Sequence, residues 1–285
     1  MTEFRTGLAE VAPTALAEAR LQAHYAVQWV TRAARANLPA EDDDSHSNLG
    51  WDAARGALVS HHMAGSDGPV RVGLEIAGMV LHADCKSAGS GELPLNGHSN
   101  IEAGAWLDER LNICGLQPAG QVRLPYDLED HALGQGAGFT VGAHTGEFAE
   151  LAAWFDAAAD VLETVRATLG HISPGPSPVR CWPHHFDIAT LLSLEAGDPE
   201  TARSIGIGMS PGDGTYGEPY FYINPWPHLA ADDLPELPPP GHWHTEGFVG
   251  AVATGTEVLT LTDRRDGLVA FVAGAVEAGR RKLGL

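Results

Sequence analysis

Basic residues are scarce in this chain. Lys and Arg number 17 against 37 Asp and Glu, leaving a net charge of −20 over 285 residues. Nucleic acid is held by clustered positive charge that displaces counterions from phosphates. No such cluster occurs, so no nucleic-acid partner is expected. Anionic lipid would repel the same surface, and no apolar run approaches a membrane-spanning length, so no membrane partner is expected either. The opening stretch MTEFRTGLAEVAPTALAEAR lacks a basic segment followed by an apolar one, and no secretory signal is predicted. Cysteine is nearly absent. Cys85, Cys114 and Cys181 are an odd number, far apart in sequence, and make neither a CxxC pair nor a disulfide framework. A reducing cytoplasm is the expected compartment.

Several catalytic strings are also missing. Neither a GxxxxGK(S/T) phosphate loop nor a HExxH zinc motif occurs, and IGIGMSP lacks the third glycine of a dinucleotide fingerprint. GMSPG, residues 208–212, matches the G-x-S-x-G hydrolase elbow as a string. Its chemistry fails, because the residue after the nucleophile must donate its backbone N–H to the oxyanion and Pro211 has none. Ser210 reads as a turn residue.

What is present suits a folded core: 44% of residues are hydrophobic, with 34 Gly and 19 Pro to make turns. Residues 14–37 place Leu16, Ala19, Ala23, Ala26, Val27 and Val30 on one helical stripe. RGALVSHHM and PVRVGLEIAGMVLHAD then read as strands joined by the turn AGSDG. Ser99 and Glu102 have the spacing of a capping box for a helix to about Cys114. The second half opens with another helix, GEFAELAAWFDAAADVLETVRATLG, ended by Gly170 and SPGPSP. Strands VRCWPHHFDIATLLSL, ARSIGIGMS and EPYFYINPW should follow as a meander, then a strand near HWHTEGFVGAVA and a helix from Asp263 to about Lys282. Each half runs helix, strands, helix, which raises an internal duplication. The expectation is an α+β fold, an antiparallel sheet covered by long amphipathic helices. Two pseudo-equivalent halves, 1–145 and 146–285, would form one compact unit.

Side chains on a strand alternate faces, so residues two apart share one. Phe186, Ile188, Ile205, Ile207, Met209, Phe221 and Ile223 then form an apolar face against the core. The other face carries His185, Asp187, Gly206, Gly208, Tyr220, Tyr222 and Asn224. Glycine inside a strand sacrifices packing and often marks close approach by a ligand or another backbone. His185 and Asp187 read either as an acid–base pair or as a satisfied polar pair beneath a helix or loop. His184, on the opposite face, should point into the core. In GHWHTE, His242, His244 and Glu246 lie two apart and would project together from a strand as nitrogen and oxygen ligands for a divalent metal. The alternative is a loop anchored by Trp243 with both histidines solvated. SHHM, residues 60–63, reads as structural.

From HHFDIA onward the chain resembles a family of uncharacterised bacterial proteins, over about its last 110 residues. The resemblance rests on His185-Phe186-Asp187-Ile188-Ala189, on PYFYINPWP, on Trp243 with Phe248, and on the closing helix from Asp263. It implies a common architecture and no reaction. Three functions follow from the residues themselves. One is an enzyme using His185 and Asp187 in acid–base chemistry, such as metal-assisted hydrolysis with the histidines of GHWH. The second is a non-catalytic small-molecule binder using Tyr220, Tyr222, Trp226 and Trp243 around a glycine floor. The third is an interaction module that recruits a partner to an exposed sheet edge.

Overall fold

The protein is described from a computed structural model that covers residues 8–86, 89–198 and 201–285. It is an α+β fold with two antiparallel sheets and, among the described residues, five α-helices. No helix among the described residues is long and apolar enough to cross a membrane. The chain divides into two compact units. Among the described residues, one comprises Leu16–Ala152 with Cys181–Phe186; the other comprises residues 8–15, Ala153–Arg180 and Asp187–Leu285.

The first unit begins with α1 (Ala17–Asn37), whose stripe Ala19, Ala23, Ala26, Val27, Val30 is wholly buried. Its sheet holds β1 (Gly50–Asp52), β2 (Ala57–Val59), β3 (Met63–Gly65), β4 (Gly68–Glu75), β5 (Val80–Cys85) and β6 (Gly89–Pro94). The order is β1-β2-β4-β5-β6, with β3 also paired to β4. The two expected strands are each split: RGALVSHHM gives β2 and β3, which both pair with β4, and PVRVGLEIAGMVLHAD gives the hairpin β4–β5, with Met79, at φ 49°, in its turn. The next helix, α2 (Asn100–Ile113), starts at a formed capping box. Glu102 N donates to Ser99 Oγ at 3.2 Å, and Ser99 N donates to the Glu102 carboxylate at 2.7 Å. The two helices approach closely at Gly104, where a Cβ would lie 2.3 Å from the Trp29 ring; Trp29 Nε1 donates to Asn100 Oδ1 at 2.8 Å. Only glycine leaves room for that indole. Cys114, just past α2, hydrogen-bonds Cys85 at the end of β5, so two cysteines remote in sequence meet in this core as free thiols. Burial, and then Cys85, push the Cys114 thiol up to about 12.

A third helix, α3 (Thr145–Leu169), runs from the first unit into the second. The sheet of the second unit contains β7 (Gly175–Pro176), β9 (Asp187–Ser193), β10 (Ser204–Ser210), β11 (Tyr220–Trp226), β12 (His242–His244) and β13 (Gly250–Thr254). Between β7 and β9 lies β8 (Arg180–Trp182). The order is β12-β13-β11-β10-β9-β7, every pair antiparallel. In register, Ile207 faces Ile223 and Thr190, while Met209 faces Phe221 and Ile188. These residues are buried on one face. The short α4 (Gly255–Val258) precedes α5 (Arg264–Lys282), which covers that face with Leu268, Phe271, Val272, Ala275 and Val276. At Gly279 a Cβ would stand 3.0 Å from Pro225 and 3.3 Å from Ile205, which sets how near α5 lies to the sheet.

One expected strand is broken. VRCWPHHFDIATLLSL is not continuous: β8 stops at Trp182, a turn occupies residues 183–186, and β9 starts at Asp187. Pro183 has no N–H to give a ladder, and Phe186 takes φ 59°, a left-handed conformation that strand pairing cannot accommodate. Phe186 N instead donates to the Trp182 carbonyl at 2.7 Å.

Candidate functional site

The face of the second sheet opposite α5 carries the polar residues. By register, Ala189, Gly208, Tyr222, Val252 and His242 form one row across β9, β10, β11, β13 and β12, and Leu191, Gly206 and Asn224 form the next. Tyr222 donates a very short hydrogen bond to Asp187 Oδ2, and that carboxylate is buried at 8% exposure. The hydroxyl end of the tyrosine lies over Gly208, where a Cβ would stand 2.5 Å from the Tyr222 hydroxyl and 2.9 Å from Ala189 Cβ. Gly208 thus makes room for Tyr222. Gly206 differs, since a Cβ there would meet nothing nearer than 3.8 Å.

Two further tyrosines are oriented alongside. Tyr220 donates to Asp213 Oδ2 at 2.5 Å, and Asp213 Oδ1 accepts from the backbone of Thr215 and Tyr216 at 2.7 and 3.0 Å. Burial first, and then the Asp213 hydrogen bond, raise the Tyr220 hydroxyl far above its ordinary range, so it stays protonated as a donor. Tyr216 lies 4.8 Å from Tyr220 by ring centroid, and its hydroxyl is 2.9 Å from His244 Nδ1. Ser210 is buried with its Oγ accepting from Gly212 N at 3.2 Å, the turn role expected of it. Between the glycines, Asn224 leaves its Oδ1 buried without a hydrogen-bond partner, 2.2 Å from where a Gly250 Cβ would stand. A buried acceptor left unsatisfied costs stability and calls for an explanation.

The histidines of the 183–186 turn are placed differently from expectation. His184 does not enter the core; it is exposed, because the turn replaces the strand that would have aimed it inward. Partial loss of solvent, and then the neighbouring His185, hold it below the ordinary histidine range. His185 is exposed too and packs against His184 with ring centroids 4.1 Å apart and the rings tilted by 49°. It precedes β9 and shares no strand with Asp187, whose partner is Tyr222. The buried histidine beside this turn is His24 of α1, stacked on Phe186 at 5.1 Å.

GHWHTE also divides. His242 and His244 share a face of β12 as alternation requires, but the strand ends there and Glu246 lies beyond it in an exposed bend. His242 Nδ1 lies 3.0 Å from the Glu257 carboxylate, while His244 Nε2 is 2.6 Å from the Glu246 backbone carbonyl. Among the described residues no three His, Cys, Asp or Glu side chains converge as a metal would need. Trp243 pairs with Ala251 on the opposite face and donates to the Pro235 carbonyl at 2.7 Å, so it does not border the glycines.

Sequence reasoning missed Asp213 and Tyr216. The string PGDGTYG held a signal, since an Asp two and three residues before unpaired amides is the mark of an Asx turn. Nothing local shows that its second oxygen would meet Tyr220. Comparison with family models, with curated proteins and with solved structures gives no match.

Proposed function

We propose that the second unit binds a small polar molecule, without catalysis, on the sheet face between Gly206, Asn224 and Tyr222. The observation that carries this reading is Asn224 Oδ1, a buried acceptor with no donor lying against Gly250, on the residue paired with Gly206, over which the sheet face is open. A ligand N–H or O–H at that position satisfies it. The surrounding hydroxyls are fixed in direction by Asp187 and Asp213, which suits recognition more than turnover. Acid–base work by His185 and Asp187 is less well supported, because Tyr222 engages the carboxylate and His185 stands in the preceding turn.

A thermal-shift screen of polar metabolites tests this. Wild-type protein should be stabilised by at least one of them, and Asn224→Ala should lose that shift while folding normally. A ligand whose shift survives both Asn224→Ala and Tyr222→Phe would refute the reading. So would turnover of the bound compound that is lost in His185→Ala.

A further inference from the structure

A cavity of about 440 Å³ in the first unit is lined by Arg32 of α1 and by Gly120–Leu124 and Tyr126–Leu128 of the long connection after α2. None of these residues belongs to the tyrosine-bearing sheet face, and none was marked by a sequence motif. The volume lies in the range of small-ligand sites.

Arg32 is the anomaly. Its guanidinium carbon lies 4.9 Å from the Trp29 ring centroid, over an indole fixed by Asn100 and seated on Gly104. Its Nε is buried with no hydrogen-bond partner. Loss of solvent holds its pKa below the ordinary arginine range, with Tyr126 acting in the opposite direction. In a chain of net charge −20, arginine is usually matched. Arg20, Arg35, Arg55, Arg166, Arg203 and Arg265 each meet a carboxylate within 3.0 Å. Arg32 and Arg123, both lining the cavity, have no carboxylate or carbonyl partner among the described residues. Taking a cation partly out of water without a counter-charge is costly, so such a site favours an anion.

We propose that this cavity binds a small carboxylate anion, with the edge of the Arg32 guanidinium as its principal ligand. The guanidinium carbon sits over the Trp29 ring, and the guanidinium N–H groups, which have no carboxylate or carbonyl partner among the described residues, can bind a carboxylate through two parallel hydrogen bonds. Arg123, exposed at the cavity, adds a second positive charge. Asp127 is the one acidic side chain in the lining. It is exposed and makes no ion pair with either arginine, so it sets a repulsive limit on how much charge the anion carries. Tyr126 donates its hydroxyl to Gln28 Oε1 at 2.8 Å and presents oxygen lone pairs, not a free donor, to the cavity. A monocarboxylate or singly engaged dicarboxylate fits this balance better than a multiply charged phosphate.

The test is titration with acetate, succinate and inorganic phosphate at constant ionic strength, followed by isothermal calorimetry and by ligand-observed NMR. Wild-type protein should bind acetate or succinate with millimolar or tighter affinity. Arg32→Gln should weaken it by about tenfold or more, and Arg32→Lys, which keeps the charge but loses the fork, should also weaken it. Arg123→Gln should have a smaller effect. Circular dichroism confirms that each variant is folded; should Arg32→Gln fail to fold, Arg32→Lys decides. Absence of carboxylate binding, preference for phosphate, or equal binding by wild type and Arg32→Lys would each overturn the proposal. Asn224→Ala should leave carboxylate binding unchanged, which separates this site from the sheet face.

Discussion

His24 sits on α1 at 7% exposure, parallel to Phe186, with Nε2 2.8 Å from the Pro183 carbonyl. Gln28 Nε2 donates to the same carbonyl at 2.9 Å. Burial, as the leading cause, lowers the His24 pKa to about 4 from an ordinary 6.5, although the Pro183 contact works to raise it. The folded protein therefore holds His24 neutral, while the unfolded chain takes up a proton below about pH 6.5. Stability from this residue is complete above the unfolded value and is lost as pH falls toward the folded one. Between pH 7.5 and pH 5 the loss should be about 2 kcal/mol. Urea denaturation at the two pH values should show it, and His24→Gln, which keeps a donor for Pro183, should show a smaller drop. An unchanged drop in the variant would mean that other groups carry the acid sensitivity.

At the scale of the element, the two glycines of β10 look alike in sequence and differ in what lies above them. Gly208 is covered by Tyr222, whose hydroxyl is tied to Asp187, whereas Gly206 has open space. A methyl at position 208 must push Tyr222 off Asp187 or move β11. Gly208→Ala should therefore destabilise by about 1–3 kcal/mol, the usual cost of overpacking. Gly206→Ala should change stability by no more than about 0.5 kcal/mol, because its Cβ makes only ordinary contacts. Denaturant midpoints of the two variants, measured side by side, check the contrast. Equal losses would show that strand glycine as such, not its neighbour, is what matters.

The whole molecule carries 37 acidic against 17 basic residues, and this imbalance opposes compactness by self-repulsion. Exposed ion pairs such as Arg166–Glu163 and Arg280–Glu277 contribute little each and are weakened by salt. Screening the long-range repulsion should outweigh that loss. Calorimetry at low and at physiological ionic strength should show Tm rising with salt by a few degrees. A falling Tm would mean that the ion pairs outweigh the net charge.

Composition and periodicity by themselves determined the α+β class, the extents of α1, α2, α3 and α5, the capping box at Ser99, and the apolar face of Ile188, Ile205, Ile207, Met209, Phe221 and Ile223. These are local or periodic properties: a cap spans three residues, and alternation fixes a face once one side must be buried. Only the tertiary structure decided that Phe186 turns left-handed and ends the alternation before Asp187, leaving His184 and His185 exposed. It alone placed Tyr222 on Asp187, Asp213 on Tyr220, and Cys85 on Cys114. It likewise set Arg32 over Trp29 without a carboxylate. The physical reason is common to all of these. Hydrogen bonds and unmatched charges depend on which distant segment arrives within about 3 Å, and a sequence pattern fixes the direction of a side chain without fixing what it meets.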